Sequence, residues 1–145
     1  MRLVLTAAQA ADLTQMAEAA YPREACALLV GRAEADRIEI AEIVAGDNVA
    51  ASPEREFEFD PARHIALLRR LRESHAPERL IGHWHSHPNG RAEPSAQDAA
   101  MANDPGLLWL ISAVTDGKAG APRAFKLKPD GGFVPLPLDI SRQDT

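Results

Sequence analysis

Extended segments that follow one another, broken by only three helical ones, set the architecture of this chain. Strand patterns occupy residues 2–5, 25–30, 37–44, 57–59, 79–84, 107–114, 123–128 and 132–138. Thr6 followed by Gln9 forms a capping box, and Leu13, Met16, Ala17 and Ala20 then repeat as a helical core stripe until Tyr21-Pro22. A second helix starts at Asp60-Pro61, with Ile65, Leu68 and Leu71 as its buried side. A short third helix runs from Pro94-Ser95 to Ala102. The last two strands form a hairpin turned at residues 129–132. Strands in consecutive groups predict an α+β fold of α/β/α-like layering, with a mixed, mostly antiparallel sheet flanked by helices. A doubly wound parallel sheet does not fit this order.

The chain is 145 residues long, enough for one domain, assigned to residues 1–140 with 141–145 as a frayed tail. Its formal net charge is −5 and it has no basic run, which argues against a nucleic-acid partner. Arg69 and Arg70 read as a solvated helix face. The single cysteine, Cys26, allows no internal disulfide and suits a reducing compartment. The first residues lack the apolar core of a signal peptide. The longest apolar stretch, around residues 107–114, contains Ser112 and is too short to span a membrane. These features predict a soluble, cytoplasmic protein with no membrane partner.

Three of the five histidines fall within His83-Trp84-His85-Ser86-His87-Pro88. On a strand, residues two apart face the same way, so two imidazoles there can converge on one ion. Zinc accepts neutral imidazole nitrogen and carboxylate oxygen, and three protein ligands leave a catalytic position open. Asp98, in the first turn of the third helix, is placed to complete such a set. Glu24 opens an apolar strand, where a carboxylate needs a reason. Beside a zinc-activated water it can take a proton and pass it to a leaving amine.

His85-Ser86-His87-Pro88, followed by Ser95 and Asp98, reads H-x-H-P-x6-S-x-x-D. Residues 22–31, PREACALLVG, resemble P-x-E-x-C-G-L-L-x-G. Together they resemble the JAMM (MPN-plus, Mov34/PAD-1) metallopeptidase domain of the small stand-alone prokaryotic type, over nearly the whole chain. The resemblance implies a curved sheet between helices, an MPN/cytidine-deaminase-like architecture. It implies one Zn2+ per chain held by His85, His87 and Asp98. Glu24 would be the general acid/base, and Ser95 would help hold the developing oxyanion. The implied activity is hydrolysis of a peptide or isopeptide bond at the extended C-terminal tail of a small ubiquitin-like, sulfur-carrier-type protein. Two positions depart from the pattern. Ala27 replaces a usual glycine, and His83 stands where an apolar or aromatic residue is common.

Plainer readings stand beside these. Ser95-x-x-Asp98 is itself close to a helix capping box. Cys26 shares a strand face with Glu24 but reads as a buried structural thiol. His83 reads as a neighbour of the ligand set or a surface residue, His64 and His75 as solvent-facing, and Trp84 and Trp109 as core residues of adjacent strands. The alternative function is a catalytically silent MPN scaffold that binds partners without metal. A nucleoside-deaminase reading lacks its Cys-bearing signature.

Overall fold

The computed structural model describes residues 1–102 and 104–142. In chain order the elements are β1 (Arg2–Thr6), α1 (Ala7–Ala20), β2 (Cys26–Ala33), β3 (Arg37–Gly46), α2 (Pro61–Ser74), β4 (Arg79–His87), α3 (Ala96–Met101), β5 (Leu108–Thr115), β6 (Lys118–Ala119), β7 (Arg123–Leu127), β8 (Phe133–Leu136) and β9 (Leu138–Ser141). They build one mixed sheet in the order β8-β7-β5-β4-β2-β3-β1-β9, with β6 paired to β5. The β1–β3, β1–β9 and β4–β5 pairs are parallel, and the other five pairs are antiparallel. The expected flanked, mostly antiparallel sheet is therefore present.

Helices cover both faces of the sheet. The Thr6–Gln9 capping box forms as the sequence predicts and starts α1. Leu13 and Ala17 of α1 pack into the main core with Leu3, Leu5, Leu29, Trp84 and Leu110. On the opposite face Leu67 of α2 packs with Cys26, Leu28, Val30 and Phe59. Alternation along β2 divides its apolar run between these two cores, Ala27 and Leu29 on one side and Cys26, Leu28 and Val30 on the other. Ala27 is buried in the main core, so the methyl group at this position is accommodated.

Three local expectations change. Ile65 and Leu68 are 58% and 45% exposed, and α2 buries Leu67 instead, with Leu71 packed at the margin. The second core lies on the Leu67 side of the helix, and that placement fixes the rotation of α2. The expected strand at residues 57–59 reduces to one bridge, Asn48 with Phe59, because Asn48 claims the neighbouring backbone groups. The expected strand at residues 132–138 splits at Pro137. β8 pairs with β7, and β9 runs parallel to β1, with Ser141 opposite Thr6. Of the tail expected to fray, Ser141 thus closes a strand, and residues 143–145 lie outside the described residues.

Candidate metal centre

Strand β4 continues through the HSH motif, so its side chains alternate to the end. Trp84 and Ser86 point away from the histidine face. Trp84 Nε1–H donates to Ser112 Oγ at 2.9 Å, and Ser86 Oγ accepts from the Ala25 N–H at 2.8 Å. These two bonds satisfy buried polar groups and hold β4 against β5 and β2. His83, His85 and His87 share the other face. There Phe57 stacks on His85 with centroids 4.3 Å apart, and Trp109 meets His83 edge-on at 4.3 Å.

The imidazoles of His85 and His87 bring their Nε2 atoms to 3.0 Å. Asp98 Oδ2 lies 3.3 Å from the first and 3.0 Å from the second. Tetrahedral zinc with bonds of about 2.0–2.1 Å spaces its ligands by roughly 3.3–3.4 Å. The three atoms therefore already stand close to one triangular face of such a site. His87 Nδ1 lies 2.9 Å from the Arg91 carbonyl oxygen. An Nδ1–H donated there leaves the Nε2 lone pair free to bind a cation. Two imidazole nitrogens and a carboxylate oxygen, all buried, suit a divalent transition metal.

Asp98 reaches this point because of how α3 begins. Ser95 is the N-cap. Its Oγ accepts from the Asp98 N–H at 3.0 Å, while Asp98 Oδ2 accepts from the Ser95 N–H at 2.9 Å. The capping box and the ligand geometry are thus the same arrangement. Burial acts against the Asp98 carboxylate, but hydrogen bonds to His85 and His87 outweigh it and hold its pKa well below the usual range. Burial lowers the pKa of His85. At His87 burial also opposes charge, but the bond to Asp98 prevails and the net shift is upward.

Glu24 lies two residues before β2. Antiparallel pairing sets Cys26 opposite His85, so the residue two positions earlier comes beside His87. Its carboxylate oxygen lies within 4.8 Å of ligand atoms on His85 and His87. Asp98 is in contact with both imidazoles, and Glu24 stands as a separate carboxylate beside them. Its Oε1 is buried without a partner among the described residues. Burial raises the Glu24 pKa to about 7, with His87 opposing and Asp98 and Glu56 adding to the rise. That value suits a group that both takes and returns a proton near neutrality.

His83 lies outside this triangle, among Phe57, Trp109 and His85. Its Nδ1 is buried with no partner among the described residues. Burial pushes its pKa down to about 3, so it stays neutral. Cys26 lies in the core below α2, and burial pushes its thiol up to about 12, too high for a nucleophile at neutral pH. His75 is the exposed C-cap of α2, and His64 meets Phe59 edge-on at 6.5 Å.

The sequence reading missed Asn48. Its Nδ2 lies 2.9 Å from the Glu24 carbonyl oxygen, 3.0 Å from that of Glu56 and 3.4 Å from that of Pro53. Its Oδ1 accepts from the N–H groups of Ala50 and Glu58. One side chain thus ties the backbone at Glu24 to the loop that runs past the metal centre. An asparagine in a polar loop carries no periodic or motif signal that singles it out.

A family model described as prokaryotic homologs of the JAB domain matches residues 6–128. The chain belongs to this family. The JAB domain here is 35% identical over 100 residues to a desampylase from Haloferax volcanii, covering 69% of this chain and 68% of the relative. It is 36% identical over 119 residues to a probable TtuB-protein conjugate cleaving protease from Thermus thermophilus, covering 79% and 68%. A Desulfitobacterium hafniense protein solved in solution superposes with a TM-score of 0.82 at 30% identity, over 97% of this chain and 94% of that one. A JAB1/MPN domain protein from Archaeoglobus fulgidus, 19% identical, shares the fold with a TM-score of 0.56 over 96% and 99%. The expected enzyme class, a JAMM-type peptidase or isopeptidase, stands with the family.

Proposed function

We propose that this JAB domain is a zinc isopeptidase that cleaves a bond at the C-terminal tail of a ubiquitin-like, sulfur-carrier-type protein. The observation that carries the reading is the buried triangle of His85, His87 and Asp98 with a second, unpartnered carboxylate at Glu24 beside it. The relatives named for desampylation and for cleaving TtuB conjugates support the substrate class. No described helix is long and apolar enough to cross a membrane, and a single thiol suits the cytoplasm, where we place the enzyme.

In this reading His85, His87 and Asp98 hold one zinc ion. Bound zinc supplies Lewis acidity and makes hydroxide available near neutral pH. Glu24 accepts the proton released by the attacking water and delivers it to the leaving amine, so the carboxylate ends each cycle as it began. The Ser95 hydroxyl lends its oxygen to the Asp98 N–H and keeps its own proton to donate to the oxygen that gains charge at the scissile carbonyl. A tail ending in two glycines suits a narrow approach, because glycine lets a backbone come close to the reacting atoms. The test is to load the protein with zinc, incubate it with carrier conjugates linked through lysine, and weigh the products. Release of the intact carrier is expected. Unchanged conjugates with a zinc-loaded, folded protein overturn the proposal.

A further inference from the structure

Two cavities flank the candidate metal centre. One, of about 470 Å3, is bordered by Glu24, His87 and Ser95. The other, of about 210 Å3, lies on the far side of Asp98 among Phe57, His83, Met101 and Trp109. Glu56 and Gln97 line both, and Gln97 Nε2–H donates to Glu56 Oε2 at 2.9 Å. That hydrogen bond marks the threshold between the two spaces.

The proposed chemistry gives the two cavities different occupants. A proton donor serves the leaving amine, so the cavity where Glu24 meets His87 and Ser95 takes the leaving group. The acyl side of the substrate, the carrier's tail, then faces the smaller cavity. Its walls are apolar rings and aliphatic groups, and Met101 stands 59% exposed on them although it is large and apolar. The charged groups beyond Asp98 are Glu56, Glu58 and Asp104. No lysine or arginine lines this cavity among the described residues. The wall also offers His83, whose buried Nδ1 has no partner there.

Resting on the isopeptidase reading, we propose that this smaller cavity is a subsite for a basic side chain, arginine or lysine, of the substrate's tail. The aliphatic stem of such a residue packs on Phe57, Trp109 and Met101, and its cationic end meets the rim carboxylates and the aromatic faces. A leucine fills the same walls but brings no positive charge to the carboxylates. A glutamate meets like charge.

Binding of labelled tail peptides to the zinc-loaded full chain, read by fluorescence anisotropy at physiological salt, tests this. The peptides end in Gly-Gly and carry arginine, leucine or glutamate just before it. The arginine peptide should bind at least tenfold more tightly than the glutamate peptide and measurably more tightly than the leucine one. Glu58→Lys should cut the tenfold preference below threefold, and Asp104→Lys should act in the same direction. Both side chains are exposed, and an unchanged melting temperature confirms the fold. Equal affinities, a preference for leucine, or no measurable binding overturn the subsite. So does equally tight binding when the arginine is moved several residues upstream, because general attraction alone would then explain the preference. Hydrolysis of a Gly-Gly dye amide by the same preparation reports the chemistry separately. Selective binding without hydrolysis sinks the isopeptidase reading and leaves the subsite. Hydrolysis without selective binding does the reverse.

Discussion

Ser95 and Asp98 hold each other in place, each accepting a hydrogen bond from the other's backbone N–H at 3.0 and 2.9 Å. The same Asp98 oxygen faces both imidazoles of the candidate metal centre. Helix capping and the placement of Asp98 as a candidate ligand are therefore coupled, and Ser95→Ala separates them. The lost cap should cost about 0.5–2 kcal/mol of stability. The Ser95 N–H survives the change, so Asp98 should stay oriented and zinc content should hold. The lost oxyanion donor should lower kcat at least tenfold with little change in KM. Full activity with a lowered melting temperature would leave Ser95 as a cap alone.

The histidine cluster makes a sharp distinction among three neighbours. His85→Ala, His87→Ala and Asp98→Ala should each lose most zinc, against about one equivalent in the unaltered chain. His83→Ala should keep it, since His83 lies outside the Nε2–Nε2–Oδ2 triangle. Elemental analysis of the four purified variants decides. Loss of metal from His83→Ala would mean the ligand set has been misassigned.

Glu24→Gln should retain zinc and lose hydrolysis by a factor on the order of 10²–10⁴. It should also expose what burial does to the metal-free protein. The Glu24 pKa rises from 4.5 in the unfolded chain to about 7 in the fold. Below 4.5 both states are protonated, and the substitution should be nearly neutral. Between 4.5 and 7 the unfolded carboxyl ionises while the native one keeps its proton, so wild-type stability falls across this window relative to the variant and levels off above 7. Glutamine should therefore stabilise the metal-free protein at pH 8 by about 1–3 kcal/mol and change it little at pH 4. Urea unfolding at the two pH values measures the difference. Equal effects at both would mean that Glu24 is not strained by burial.

Asn48→Asp should disturb the centre from a distance. A carboxylate cannot donate to the carbonyls of Glu24, Glu56 and Pro53 that the amide now faces. Several hydrogen bonds of about 0.5–1.5 kcal/mol each are at stake, and the loop over residues 50–58 should loosen. Faster amide exchange at Glu24 and Glu56, whose N–H groups donate to the loop carbonyls of Pro53 and Ser52, with kcat lowered and zinc content kept, is the expected result. Unchanged exchange would show that the loop is held by other means.

The sequence by itself picked out the candidate site residues and all three helices, together with most of the strands. The spacing of His85 and His87 needs only strand alternation, and Ser95-x-x-Asp98 needs only the first turn of a helix. Both are short-range geometry that the backbone imposes locally. The Thr6–Gln9 cap and the Asp60-Pro61 helix start form for the same reason. Tertiary structure alone decided what meets what. Glu24 comes beside His87 only because β2 pairs with β4 in the register that sets Cys26 opposite His85. A one-residue slip would turn Glu24 to the other face of the sheet. The rotation of α2, which buries Leu67 and leaves Ile65 and Leu68 in solvent, depends on where the sheet offers a second core. The role of Asn48 emerges only when residues 24, 53, 56 and 58 converge around it. Local periodicity records the neighbours within a turn or a pleat, whereas strand register and helix rotation are set by contacts between segments far apart in the chain.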